Sequence, residues 1–294
     1  MPTPEIAPVI VSSLICHRDV EMAVACLGSM VRHSAEPVSF RFHDDGTLTG
    51  EDHKRLFAAL PVHSFVPRKE ADRIVKQELA AYPYCARFRR NSVYGLKLFD
   101  APLLACGDEL AFCDTDILFM RPFSDLFEWP DAETGCLFMR DYQNAFAFRP
   151  WHLALQWRFQ MPARLNCGLF YFQKRNHDLD FLEWLLARYR RLFAARHHWV
   201  EQTCWGALAM RCGGRFWSEG QVFVARNEAS FSGHPIAAHL VTPVRGLLPK
   251  LLARPDAGRG PEAFISEAMP RLGAFALGRE QAGKLIQRIT GKTS

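Results

Sequence analysis

From Val9 to Phe119 the chain alternates short apolar runs with stretches of helical spacing, and that alternation most constrains its fold. Val9 to Ile15 reads as a buried first strand, rich in β-branched residues. Asp19 can cap a following helix through about His33, with Met22, Ala25, Cys26 and Met30 on one face. Val38 to His43 reads as a second strand that ends in the tight-turn signal Asp44-Asp45-Gly46. Thr49 caps a short helix through Leu60, Val62 to Val66 makes a third strand, and Arg68 to Ala81 a charged helix. Asn91-Ser92 opens another apolar helix, which Pro102 should break near Ala101. Such alternation predicts an α/β protein: a mostly parallel central sheet with helices on both faces. Ligands of such sheets collect at the carboxyl ends of the strands.

The fourth apolar run, LAFCDTDILFM over residues 110–120, carries Asp114 and Asp116 and leaves through Arg121-Pro122, which ends regular pairing. Residues i and i+2 of a strand share a side, so a strand extended to its last residue sends both acids out together. Two carboxylates that close repel unless a cation lies between them. Carboxylates suit Mg²⁺ or Mn²⁺, and a metal held by one or two of them keeps positions open for phosphate oxygens. The pattern points to a diphosphate ligand and so to a nucleotide-linked substrate. Asp44-Asp45 lies at another predicted strand end and can share that rim.

The second half is less regular. Gly135 to Met139 and Gly168 to Phe172 read as strands, Asp178 caps a helix running past Leu192, and a second helix spans about Val200 to Met210. Short strand-like pieces follow Gly213-Gly214, and His239 sits in an apolar stretch. The apolar and charged fractions, 49% and 23%, are those of a globular protein. No run of about eighteen apolar residues predicts a membrane span, and MPTPEIAPVIVSS lacks the basic start of a secretory signal. Nine cysteines without a CxxC pair read as reduced thiols of a cytoplasmic protein. From Arg245 onward nine Lys or Arg face four acids, an excess equal to the whole net charge of +5. A nucleic-acid binder would spread its basic residues over the folded face, so no nucleic acid is expected as partner.

Taken in order, VYGLKLFDAPLL, the DxD, FSDLF, LNCGLFYF, HWVEQTCWG and AHLVTPVRG resemble glycosyltransferases of the GT-A fold, and most closely family 8 and its relatives. The resemblance implies a GT-A type nucleotide-diphospho-sugar transferase fold over residues 1–246, with 247–294 as a basic C-terminal extension. It implies transfer of a hexosyl unit from a nucleotide-diphosphate sugar, by family habit a UDP-sugar, to a hydroxyl of a glycan, lipid-linked or small-molecule acceptor. Asp114, Asp116 and His239 would hold Mn²⁺ (or Mg²⁺), with Asp114 also reaching the donor ribose. Arg245 would grip the diphosphate, Lys97 would lie near the donor, and Asn166 and Gly168 would touch the donor sugar. Glu201 and Gln202 would flank the anomeric carbon. The acid at 201 is Glu where the family usually has Asp. Asp44-Asp45-Gly46-Thr47 resembles instead the base-reading DDGS turn of family 2.

Taken without the resemblance, several residues have a plain alternative. Lys97 can be a surface lysine lying along its helix, His239 a core histidine, Asn166 a strand cap and Glu201 a first-turn acid. His197-His198 fits a solvated loop. Of the aromatic segment Phe146, Phe148, Trp151, Trp157 and Phe159, some are core and one or two can face a sugar. The tail helix with Leu285, Ile286 and Ile289 beside Lys284, Arg288 and Lys292 either docks on the fold or contacts the inner membrane face peripherally. The resemblance points to a retaining mechanism; an inverting one needs a carboxylate base, Glu201 or Asp141. Two other functions are compatible with a strand and DxD. One is a haloacid-dehalogenase-like phosphohydrolase with Asp114 as nucleophile, although over a hundred residues precede the motif and the later pair Asp178/Asp180 has no strand before it. The other is a non-catalytic nucleotide-sugar binder.

Overall fold

A computed structural model describes residues 7–156, 158–254 and 260–290, with side chains up to Gln287. Trp157 of the aromatic segment and the side chains of Arg288, Ile289 and Lys292 lie outside the described residues. The first half runs β1 (Val9–Ile15), α1 (Val20–His33), β2 (Val38–Asp44), α2 (Gly50–Ala59), β3 (Val62–Val66), α3 (Arg68–Glu78), α4 (Pro83–Asn91), α5 (Val93–Leu103), β4 (Glu109–Cys113), β5 (Ile117–Phe119) and β6 (Phe123–Ser124). The second runs β7 (Cys136–Arg140), α6 (Pro150–Leu155), β8 (Leu165–Gln173), α7 (Leu179–Arg188), α8 (Arg190–Ala195), α9 (Val200–Ala209), β9 (Gly214–Trp217), β10 (Val222–Val224), β11 (Ala237–His239), α10 (Leu248–Leu252), β12 (Glu262–Ala263), β13 (Ser266–Ala268) and α11 (Ala274–Thr290).

The main sheet has the order β3-β2-β1-β4-β8-β7-β10-β11-β5, with β9 on β7 and β13 on β9. The chain walks outward from β1 to β3 in parallel, then returns to the other side of β1 with β4. That reversal opens a crevice at the carboxyl ends of β1 and β4, where open α/β sheets bind ligands. Beyond β4 the sheet turns mixed: β8 is antiparallel to β4 and β7, and β5 is antiparallel to β11. The amino end of β8 and the carboxyl end of β11 therefore meet the carboxyl end of β4 at one edge.

Alternation across the sheet shows how both faces are covered. Leu110 and Phe112 of β4 enter a core with α4, α5, α7 and α9, while Ala111 and Cys113 enter one with α1 and α2. Full burial of such side chains stabilises by about 1.5–3 kcal/mol each. The segment after 246 packs on this body: Leu272 and Leu277 are buried in the first core, and Gly278 of α11 lies against Pro150.

Several local expectations change. β4 stops at Cys113, and Asp114 to Asp116 form a turn closed by Ile117 N–H donating to Asp114 O (3.3 Å) rather than an extended strand end. Pairing in the main sheet does end at Phe119, just before Arg121-Pro122, but β6 follows at once and pairs with β12 in a separate two-stranded sheet. α5 continues through Pro102 to Leu103. A proline there leaves the Leu98 carbonyl without its helical donor; the ring Nε2 of His177 lies 2.9 Å from that oxygen and satisfies it. The charged helix ends at Glu78, and α4 fills the gap before α5. The helix capped by Asp178 breaks at Tyr189 into α7 and α8. The side chain of Asp19 makes no capping bond to α1.

Candidate active site at the strand ends

The turn after β4 carries Asp114 and Asp116 to the mouth of a cleft of about 550 Å³. Asp114 N–H donates to Gly168 O (2.7 Å) and Leu240 N–H to Asp116 O (2.8 Å), so the turn is stitched to β8 on one side and to the end of β11 on the other. That stitching brings Asp114, Asp116 and His239 together, with one ligating atom of each within 4.8 Å of the others.

Each acid meets a cation. Lys97 Nζ donates to both oxygens of Asp114 (2.9 and 2.8 Å) and lies 3.8 Å from Glu201. Arg245 donates through Nη2 and Nε to Asp116 Oδ2 (2.7 and 3.2 Å) and through Nη1 to Asp19 Oδ1 (3.2 Å). His239 Nε2 lies 3.0 Å from Asp116 Oδ1. Lys97 is only 6% exposed, so it is a buried partner of the acids and not a lysine lying along the surface. Burial opposes ionisation of Asp116, but His239 and Arg245 outweigh it and hold that carboxyl well below the usual range. Desolvation raises Asp114 above that range despite Lys97, with the Asp116 charge adding to the rise. His239 is drawn down by burial and up by Asp116, and the net is upward.

The imidazole is oriented from behind. Asn166 Nδ2 donates to Asp141 Oδ2 (3.0 Å), and Asn166 Oδ1 accepts from Gly168 N–H (2.9 Å). These bonds fix which end of the amide is oxygen, so Oδ1 also accepts from His239 Nδ1–H (3.1 Å). Nε2 then faces Asp116, donating to it while protonated and becoming a metal ligand when that proton is lost, the orientation a metal-bound histidine requires. Gly168 makes room for the ring: a Cβ there would stand 2.6 Å from His239 Nδ1 and 2.7 Å from Cε1. Two carboxylates and an imidazole with its second nitrogen occupied form a donor set that fits Mn²⁺ or Mg²⁺.

Glu201 opens α9 and is 4% exposed. Its Oε2 accepts from the Cys167 thiol (3.2 Å), while Oε1 has no hydrogen-bond partner. Burial raises its pKa, Lys97 opposes that, and Asp114 adds to it. Gln202 lines the cleft with its amide Nε2 on Ala145 O (3.1 Å). The expected residues Lys97, Asp114, Asp116, Asn166, Gly168, Glu201, Gln202, His239 and Arg245 all line one cleft, and so does Asp45. Asp44 does not; its Oδ1 accepts from Gly46 N–H (2.7 Å) and Leu48 N–H (3.3 Å) and shapes the turn. Asp141 is also outside the lining; its Oδ1 accepts from Gln143 N–H (3.1 Å) and its Oδ2 from Asn166 Nδ2.

Some cleft residues escaped the sequence. His198 is solvent-exposed, as expected, and lines the cleft from a 3-10 turn. Tyr94 lies one turn before Lys97, a spacing that does signal a shared helix face. Arg18 and Asp19 come from the 3-10 turn after β1 and carry no pattern that marks them as cleft residues. In the aromatic segment Phe146, Phe148 and Phe159 are core residues, and Trp151 is exposed.

No family model matches the chain, and no curated protein does. Solved structures do. Mouse xyloside xylosyltransferase 1 in its apo form superposes with a TM-score of 0.55 at 10% identity, covering 81% of this chain and 99% of that one. The galactosyltransferase LgtC, in complex with donor and acceptor sugar analogs, gives 0.54 at 12% identity, covering 83% and 95%. The mannosyltransferase Ktr4p from S. cerevisiae gives 0.50 at 10%, covering 73% and 70%. The fold of this chain is that of the GT-A glycosyltransferases.

Proposed function

We propose that the protein is a metal-dependent glycosyltransferase that moves a sugar from a nucleotide-diphosphate sugar, a UDP-sugar by preference, to an acceptor hydroxyl. The observation that carries this is the convergence of Asp114, Asp116 and His239 beside Arg245 at the edge where the strand order reverses. Bound by those three residues, Mn²⁺ or Mg²⁺ supplies Lewis-acid stabilisation of the leaving diphosphate. Arg245 and Lys97 contribute fixed positive charge to the same place, already oriented before the donor arrives. Asp45 and its turn take the nucleoside end, and Asn166 and Gly168 lie on the sugar side. Glu201 sits on the side of the anomeric centre, its Oε1 without a hydrogen bond and 3.8 Å from Lys97, and Gln202 holds the adjacent loop.

This reading takes the reaction as retaining, with Glu201 stabilising positive charge at the sugar and the leaving phosphate accepting the acceptor proton. Residues 1–246 are the catalytic domain and 247–294 an extension packed on it. The nine free thiols accord with a cytoplasmic setting. Among the described residues no helix is long and apolar enough to cross a membrane. A phosphohydrolase has less to rest on. Both oxygens of Asp114 are held by Lys97, and Asp178 caps α7 and pairs with Arg211 away from the cleft.

The deciding experiment is a thermal-shift panel of nucleoside diphosphates with and without Mn²⁺, followed by hydrolysis of UDP-sugars by the wild type and Asp116→Ala. A ligand at a hundred times its dissociation constant stabilises by about 2.7 kcal/mol. Manganese-dependent stabilisation and donor turnover lost in Asp116→Ala support the transferase. Binding without turnover leaves a nucleotide-sugar binder. Absence of both, with rapid cleavage of phosphate monoesters, ends the proposal.

A further inference from the structure

Residues 1–244 are neutral overall, yet their charges are segregated. Positions 142–177 contain no Asp or Glu, and neither do positions 184–200. The fold brings parts of these two stretches together, α6 and the turn after it against the end of α7 and the start of α8. Between them lies a groove of about 770 Å³ that shares no lining residue with the cleft.

Arg158, Arg188, Arg190 and Arg191 line this groove, and among the described residues none of them has a carboxylate within ion-pair distance. Arg158 lies over the Trp184 ring (4.3 Å) and Arg188 over Tyr189 (5.5 Å). A guanidinium stacked on a ring keeps its N–H edge free for an anion. Trp151 stands at the groove, 57% exposed. The field is felt at His152, whose pKa falls below its ordinary value through burial and then through Arg149, Arg188 and Arg196.

A smaller cavity of about 380 Å³ adjoins the groove and is lined by chain neighbours of cleft residues. It shares Arg190 and Arg191 with the groove, and its His197 and Val200 are chain neighbours of His198 and Glu201 in the cleft.

We infer that this track binds the anionic part of an extended acceptor, a saccharide chain bearing carboxylate or phosphate groups, whose hydroxyl end reaches the cleft. The inference rests on the transferase reading for its direction. Exposed aromatic rings pack against the apolar faces of pyranoses, and unpaired guanidinium edges take carboxylate or phosphate bidentately. A neutral glycan leaves the arginines without partners. A membrane surface is flat and does not enter a concave groove.

The test titrates a labelled galacturonate hexamer into the full chain. Maltohexaose, a thymidylate hexamer and vesicles of anionic phospholipid serve as comparisons. The galacturonate hexamer binds, and the double change Arg190→Ala/Arg191→Ala weakens it at least about tenfold, as does replacing it with maltohexaose. Trp151→Ala, at an exposed position, weakens it severalfold and stands in should the double variant fail to fold. Affinity unchanged in all these variants overturns the inference. So does preferential binding of thymidylate or vesicles with the same dependence on the variants. Manganese-dependent nucleotide binding is read on the same samples: its absence from the wild type overturns the transferase reading, whereas loss of hexamer binding alone overturns the groove.

Discussion

The cleft and the arginine groove handle charge in opposite ways. In the cleft Asp114, Asp116, Lys97, His239 and Arg245 have partners within about 3 Å, and Asp116, His239 and Arg245 are each held by a second polar partner as well. In the groove two of the four arginines, Arg158 and Arg188, have rings beneath them, and among the described residues none of the four has an acid within ion-pair distance. Paired charge is preorganised charge, fit for stabilising one distribution of charge at one place. Unpaired guanidinium charge suits a ligand that varies along its length. The first region is built like a reaction centre and the second like a surface that holds a long anion.

The largest expected effect is on the cleft alone. Asp116→Ala removes a ligand and leaves Arg245 and His239 facing each other, so turnover should fall by about 10²–10³-fold or more. Steady-state donor hydrolysis measures it, and hexamer binding in the groove should be unchanged. A parallel loss in both regions would break the comparison.

Lys97→Met tests whether the cleft's pairing is also structural. Removing one partner of a largely buried ion pair costs about 3–5 kcal/mol, so chemical denaturation of the metal-free protein should show a loss of that order. Mn²⁺ should restore part of it by supplying the missing positive charge. A stability equal to the wild type would mean that Asp114 and Glu201 tolerate each other unaided.

Asn166→Ala leaves all three ligands in place and removes the acceptor behind His239, together with the bonds of the same amide to Gly168 N–H and Asp141. Partners of that kind contribute about 10–100-fold to metal affinity, which a manganese titration followed by calorimetry reads directly. An unchanged affinity would show that the strands alone orient the ring.

The smallest effect concerns pH in the groove. The folded-state pKa of His152 is lowered, so the unfolded chain binds the extra proton first as pH falls through the ordinary value of 6.5. This residue therefore withdraws stability below that pH, and His152→Gln should flatten the decline of Tm there. A bound polyanion neutralises the neighbouring arginines and raises His152, so hexamer affinity should grow modestly on acidification. A proton NMR titration of the His152 ring with and without the hexamer sees the shift.

Much of the first half was legible because its signals are local. Thr49 forms a full capping box with Asp52, and of the α1 face read as Met22, Ala25, Cys26 and Met30, Cys26 and Met30 are buried while Met22 and Ala25 are half-buried. The acid pair was legible as a ligand site, but not its geometry. A turn displaced the extended strand because β8 and β11 supply the backbone partners of Asp114 and Asp116, and both come from over fifty residues downstream. Pro102 misled for the same reason, since the group that satisfies Leu98 O is His177. Asp19 read as a cap because that role is local, whereas Arg245 claims it from 226 residues away. The groove stayed hidden in a net charge: a sum over residues 1–244 is zero whether opposite signs alternate or stand apart.

Position 168 illustrates a different kind of constraint. Glycine is not demanded there by backbone dihedral or by a turn, but by an imidazole three strands along the sheet in another part of the chain. Homologues or designed variants that carry alanine at this point would have to displace the ring or abandon nitrogen ligation. A library randomised at 168 and 239 together should therefore return glycine wherever histidine survives, a covariation that propensity scales for single residues would never anticipate.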